Sequence, residues 1–189
     1  KAAATRIPAY RFYNTRTGAH FYTTSEAERT TVATTLSPPF RFEGPAFSVA
    51  SAFSPGLSPV HRFYNTQSGV HFYTISETER ASVVANLPQF RYEGMVYHAS
   101  QVAGQGLTPL YRFFVPSRGF HFYTASLAER DNIIARLSAA YTYEGVGYHV
   151  LAGNWRAEKL PHTGVTGCYR ADPGFWGVCD RAGVIELNP

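Results

Sequence analysis

Sulfur and charge are scarce in this 189-residue chain, which has two cysteines, one methionine and only 16% charged residues. Two cysteines are too few for a zinc ribbon or a disulfide-dense scaffold. Sparse charge excludes a long charged helix, and 44% hydrophobic residues exclude a disordered tail. The formal net charge is +4 and no basic block gathers, so the pI near 9.1 carries no argument for nucleic acid. Long apolar runs are missing too. The uncharged stretches 44–60 and 95–111 are broken by Pro, Gly, Ser and His, which argues against a membrane-spanning helix. The opening Lys1-Ala2-Ala3-Ala4 has no apolar core of a signal peptide, so any leader is expected to have been removed.

What the chain does have is itself, three times over. Arg11-Phe12-Tyr13-Asn14-Thr15 returns as Arg62-Phe63-Tyr64-Asn65-Thr66 and, altered, as Arg112-Phe113-Phe114-Val115-Pro116. Gly18-Ala19-His20-Phe21-Tyr22-Thr23 returns as Gly69-Val70-His71-Phe72-Tyr73-Thr74 and Gly119-Phe120-His121-Phe122-Tyr123-Thr124. Phe42-Glu43-Gly44 matches Tyr92-Glu93-Gly94 and Tyr143-Glu144-Gly145, and Pro8, Pro59 and Pro109 each precede the repeated Arg by the same interval. A period of about 50 residues is the mark of a repeat architecture.

Within a unit the aromatic runs on either side of a Gly-containing turn predict two antiparallel strands. Ser25 with Glu28, Ser76 with Glu79 and Ser126 with Glu129 have capping-box spacing and predict helix starts. These helices run to about Leu36, Leu87 and Leu137, with Val32, Val83 and Ile133 four residues earlier on the same face. The stretch around Gly44, Gly94 or Gly145 reads as two short strands meeting at a bend. The expected unit is therefore ββαββ, and the fold class β-rich α+β. One unit cannot bury both a sheet face and a helix face, so the three are expected to pack together. Closure into a pseudo-threefold, β-trefoil-like arrangement would leave few open edges; an open row is the alternative. The domain expected is 1–150, with repeats at about 8–50, 59–99 and 109–150. Residues 151–189 form a C-terminal extension in which Cys168 and Cys179 are expected to close a disulfide loop, implying an oxidising compartment.

The pattern R-F-[YF]…G-x-H-F-Y-T-x-S-x-x-E-R, closing with [FY]-E-G, resembles a secreted bacterial tandem-repeat family of unassigned function over about residues 8–150. The resemblance implies an extracellular or cell-surface protein and brings no catalytic residues. The segment His162 to Tyr169, leading towards Cys179, is similar to the short Cys-containing lead-in of lectin-like bacterial surface proteins.

Three sets of residues could carry chemistry. His20, His71 and His121 could converge as a three-histidine metal site, although a structural bond inside each unit is the preferred reading. Arg11, Arg62 and Arg112 are expected to pair with Glu43, Glu93 and Glu144, because opposite charges in aromatic strands are costly to bury unpaired. Tyr13, Asn14, Tyr64 and Asn65 place rings and amides beside exposed turns and are the candidate ligand-binding residues; against them stands the reading that each Asn simply supports its turn. Trp155 and Trp176 are the second choice. No P-loop, dinucleotide fingerprint, nucleophile elbow or H-E-x-x-H motif occurs. The expectation is a secreted glycan-binding or adhesion module with no cofactor and no catalysis. Its partner would be a glycan or cell-surface polymer, with no nucleic acid and no membrane insertion. A self-assembling structural or spacer module is the alternative, and a cell-wall polymer hydrolase a third.

Overall fold

A computed structural model describes residues 5–152 and four further short segments, 156–157, 169–170, 176–179 and 185–188. The chain divides into two compact units, one of residues 1–7 and 49–151 and the other of 8–48 and 152–189. The order strand, strand, helix, strand occurs three times: β1 (Arg6–Asn14), β2 (His20–Thr23), α1 (Glu26–Thr35), β3 (Phe40–Ala50); β4 (Ser58–Asn65), β5 (His71–Thr74), α2 (Glu77–Asn86), β6 (Phe90–Ala99); β7 (Leu107–Val115), β8 (Phe120–Thr124), α3 (Leu127–Arg136), β9 (Thr142–Leu151).

The helices start where the capping residues stand. Ser25, Ser76 and Ser126 each accept a hydrogen bond at Oγ from the backbone N–H of Glu28, Glu79 and Glu129, at 3.1 Å in every case. Thr23, Thr74 and Thr124 in turn accept from the backbone N–H of those serines. Val32, Val83 and Ile133 are buried against the hairpin aromatics, as in the cluster of Phe63, Phe72 and Val83 with Phe90 beside it. The expected companions Leu36, Leu87 and Leu137 are exposed instead. They are the C-cap residues, whose N–H still bonds the preceding turn while the side chain has left the packed face.

The final two strands expected in each unit are one continuous strand, so the unit is ββαβ rather than ββαββ. The reason is a β-bulge. In the β4–β6 ladder Phe63 faces Tyr92 and Arg62 faces Gly94, leaving Glu93 as an extra residue. The β7–β9 ladder repeats this at Glu144, between Tyr143 and Gly145. Gly94 and Gly145 have φ of 94° and 89°, a left-handed conformation that glycine adopts without steric cost. Glycine here bends the strand without ending it.

The sheet is open and antiparallel, in place of the closed β-trefoil-like arrangement expected. Merging the last two strands leaves three per unit instead of four. The short hairpin strands β5 and β8 each end the ladder, bonded only to β4 and β7. Within residues 49–151, β5–β4–β6 and β8–β7–β9 form two such sets. They meet at a bridge between Ser100 and His149, with both N–H···O bonds at 2.8 Å. Beside it lies a buried tyrosine cluster, where the hydroxyls of Tyr97 and Tyr148 bond each other and Tyr123 donates to the Tyr73 carbonyl at 2.6 Å. In the other unit β1 pairs with both β2 and β3. There, too, β10 (Arg156–Ala157), β11 (Tyr169–Arg170), β12 (Trp176–Cys179) and β13 (Ile185–Asn188) form a four-stranded antiparallel sheet. The expected Cys168–Cys179 disulfide and the Trp155–Trp176 region depend on Cys168 and Trp155, which lie outside the described residues.

Candidate functional site

The bulge explains the most regular polar feature of the chain. By inserting Glu93 as an extra residue, it turns the carboxylate onto the side of the strand that carries Arg62. Arg62 Nε then lies 2.8 Å from Glu93 Oε1, and His71 Nε2 reaches the same oxygen at 3.3 Å. Arg11, Glu43 and His20 make the same set at 2.8 and 3.1 Å, as do Arg112, Glu144 and His121 at 2.9 and 3.1 Å. The expected Arg–Glu pairs are therefore present, with a histidine added to each. Burial works against ionisation of Glu43 and Glu93, but the histidine hydrogen bond and the arginine charge outweigh it, and both carboxyls sit below the usual range. Each histidine gives its Nε2 to its own glutamate, and among the described residues no group of three metal-ligating side chains gathers.

The turn residues have structural work. Asn14 is buried, and its Oδ1 accepts from the backbone N–H of Arg16 and Thr17 at 2.9 and 3.3 Å. Asn65 does the same for Gln67 and Ser68 at 3.0 and 3.1 Å. These are Asx turns, so the amide oxygens are already engaged. Tyr13 is packed against His20 with Arg41 over its ring, and Tyr64 against His71 with Arg91 over its ring. The four residues proposed from sequence thus have a structural part in their turns, the reading set against ligand contact above.

A cleft of about 630 Å³ lies elsewhere, between the second and third sequence copies. One wall comes from β5, α2 and the start of β6, including Phe72, Glu79, Ser82 and Phe90; the other comes from the β7–β8 hairpin through Phe114, Phe120 and His121. The His121 ring sits 5.0 Å from Phe72 and 4.9 Å from Phe114. Burial pushes the His121 imidazole below its ordinary range despite the pull of Glu144, so the ring is neutral at pH 7. Glu79 stands at the cleft's polar end, with Oε1 3.1 Å from Arg112 Nη1. Burial also works against the charge on Arg112, but Tyr123, Glu79 and Glu144 outweigh it and keep the guanidinium protonated.

The ligand candidates read from sequence, Tyr13, Asn14, Tyr64 and Asn65, all lie in the first two copies, so the cleft was passed over. The third copy supplies one whole wall. The available signal was Phe120, which stands where the other copies have Ala19 and Val70. A large aromatic replacing small residues beside a turn is a change the shared fold does not require.

The fold and cleft define a β-rich module built from a recurring strand–strand–helix–strand order. The chain belongs to the DUF5648 family, described as a domain of unknown function, which it matches over residues 8–151. No curated protein and no solved structure matches it.

Proposed function

We propose that this protein is a non-catalytic glycan-binding module exported by a bacterium, built as three copies of one module and binding its ligand in the cleft between the second and third. The observation that carries this reading is the cleft's lining. The partly exposed Phe90 and Phe114 offer ring surface, backed by the buried Phe72 and Phe120, while Glu79, Ser82 and His121 offer acceptors and donors at the same cavity. A sugar has an apolar C–H face that packs on aromatic rings and a rim of hydroxyls that needs hydrogen bonds. At about 630 Å³ the space falls within the range of small-ligand pockets. Export rests on the resemblance of the repeats to a secreted family.

The test is a glycan array read with wild-type protein and with Ser82→Trp, which fills the cleft from an exposed helix position. Binding by the wild type that the variant loses supports the reading, and an empty array overturns it. Self-assembly is the second reading, favoured by the exposure of Met95 and Val102, at 64% and 68%. An empty array from a protein that runs above monomer mass in size-exclusion light scattering supports that alternative.

A further inference from the structure

Away from the cleft, the second copy holds a hydrogen-bonded series that the other two lack. Tyr92 Oη lies 2.6 Å from His61 Nδ1, and His61 Nε2 lies 2.6 Å from Glu77 Oε1. Arg80 Nε bonds the other carboxylate oxygen, Glu77 Oε2, at 2.7 Å. His61 is buried, while Tyr92 is 40% exposed. The Tyr92 ring is held in place by packing on Phe63 at 5.1 Å. The hydrogen bonds from Arg80 and His61 keep the Glu77 carboxyl below its usual range, so it accepts only. His61 Nε2 must then carry the proton. In the neutral ring Nδ1 is left as an acceptor, and the Tyr92 hydroxyl donates to it. A hydroxyl bonded to a base that a third group orients is the arrangement of an activated nucleophile.

The corresponding positions show what is special here. In the first copy Tyr10 replaces His61, Phe42 replaces Tyr92, and Tyr10 bonds Glu26 directly at 2.6 Å. In the third copy Tyr111 replaces His61 and Leu127 replaces Glu77, yet Tyr143 keeps the place of Tyr92. Tyr143 is 38% exposed and has Arg130 beside it, as Tyr92 has Arg80. The two tyrosines match in exposure and in nearby cation, and differ in the base.

We propose that Tyr92 is a base-assisted acceptor site for acyl groups from activated esters, with His61 as the base and Glu77 as a positioning residue. The Tyr92 Oη–acyl bond forms as the ester's bond to its leaving group breaks. The phenolic proton passes to His61 Nδ1 and on to water, and the leaving group departs as an anion. This proposal is independent of the glycan reading and stands or falls apart from it.

The experiment treats the whole protein with p-nitrophenyl acetate and maps acetylated peptides over time by mass spectrometry. Acetylation at Tyr92 at least tenfold faster than at Tyr143 is the expected result; equal rates overturn the proposal without any variant. His61→Tyr introduces the residue that both other copies carry at this position, so the fold accommodates it. It should bring Tyr92 down to the Tyr143 rate, and an unchanged Tyr92 rate also overturns the proposal. The ¹⁵N signals of His61 report its tautomer directly. A proton on Nε2 in the wild type, giving way to a tautomer mixture in Glu77→Gln, supports the role given to Glu77, whereas a proton on Nδ1 in the neutral wild-type ring overturns it.

Discussion

Arg112 Nη1 lies 3.1 Å from Glu79 Oε1, so a strand residue of the third copy is bound to a helix residue of the second. Glu79 occupies the capping-box position, where sequence assigns its carboxylate to the start of its own helix. It goes to Arg112 instead, and the helix start keeps only the serine half of the box. Arg112 also holds Glu144 at 2.9 Å through Nε, and so serves two carboxylates at once.

That double role sets an order of stabilities. Glu79→Gln removes one partly exposed ion pair and should cost about 0.5–1 kcal/mol. Arg112→Met leaves both carboxylates without their cation and should cost about 2–3 kcal/mol. Urea denaturation of both variants measures the order, and a greater loss for Glu79→Gln would contradict the bridge.

The Arg62–Glu93 pair is more enclosed, with side chains 10% and 21% exposed. Glu93→Gln leaves Arg62 and His71 facing a neutral amide and should lower stability by about 2 kcal/mol. The thermal midpoint should fall by several degrees; an unchanged midpoint would show that the pair contributes nothing.

Helix starts and Arg–Glu pairing were legible because each depends on residue types at fixed local spacing, repeated three times. Ser76 with Glu79, and Arg62 with Glu93, could be read without knowing the packing. The merged strand was not legible, since Gly94 gives the same local signal whether it ends a strand or sits in a bulge. Only the ladder opposite, where Arg62 faces Gly94 and skips Glu93, decides between them. The cleft escaped for a different reason. It is lined where the copies differ, at Phe120 and Phe114, and by side chains brought together from two copies, so a search for shared residues passed over it.

Acidification should destabilise the protein in two stages. Burial holds His98 below its ordinary 6.5, and burial outweighs Glu144 to do the same for His121. The unfolded chain therefore takes up these protons first, and stability falls as pH drops below about 6.5. For Glu43 and Glu93 burial opposes ionisation, yet the histidine bonds and arginine charges prevail and hold both carboxyls below 4.5. Their contribution is complete above the unfolded carboxylate range and is lost as pH falls through it. Urea midpoints measured against pH should show a first decline below 6.5 and a steeper one below 4.5. Glu93→Gln should flatten only the second, and a midpoint that rises on acidification would contradict both assignments.

The last prediction separates the turns from the cleft. Asn65 Oδ1 accepts two backbone N–H groups of its own turn, and Asn14 does so from a buried position. Asn65→Ala should therefore cost about 1 kcal/mol by leaving those donors to water, and Asn14→Ala somewhat more because its surroundings are drier. Neither substitution touches the cleft lining, so any glycan bound by the wild type should be bound equally well by both variants at a temperature where they remain folded. Phe114→Ala does touch it. The ring stands on the far wall beside His121, and its removal takes away stacking surface worth about 1–2 kcal/mol, a five- to thirtyfold loss of affinity. Calorimetric titration of the three variants with an array-positive glycan decides the matter. Loss of binding in the asparagine variants with Phe114→Ala unaffected would return the ligand to the turns and remove it from the cleft.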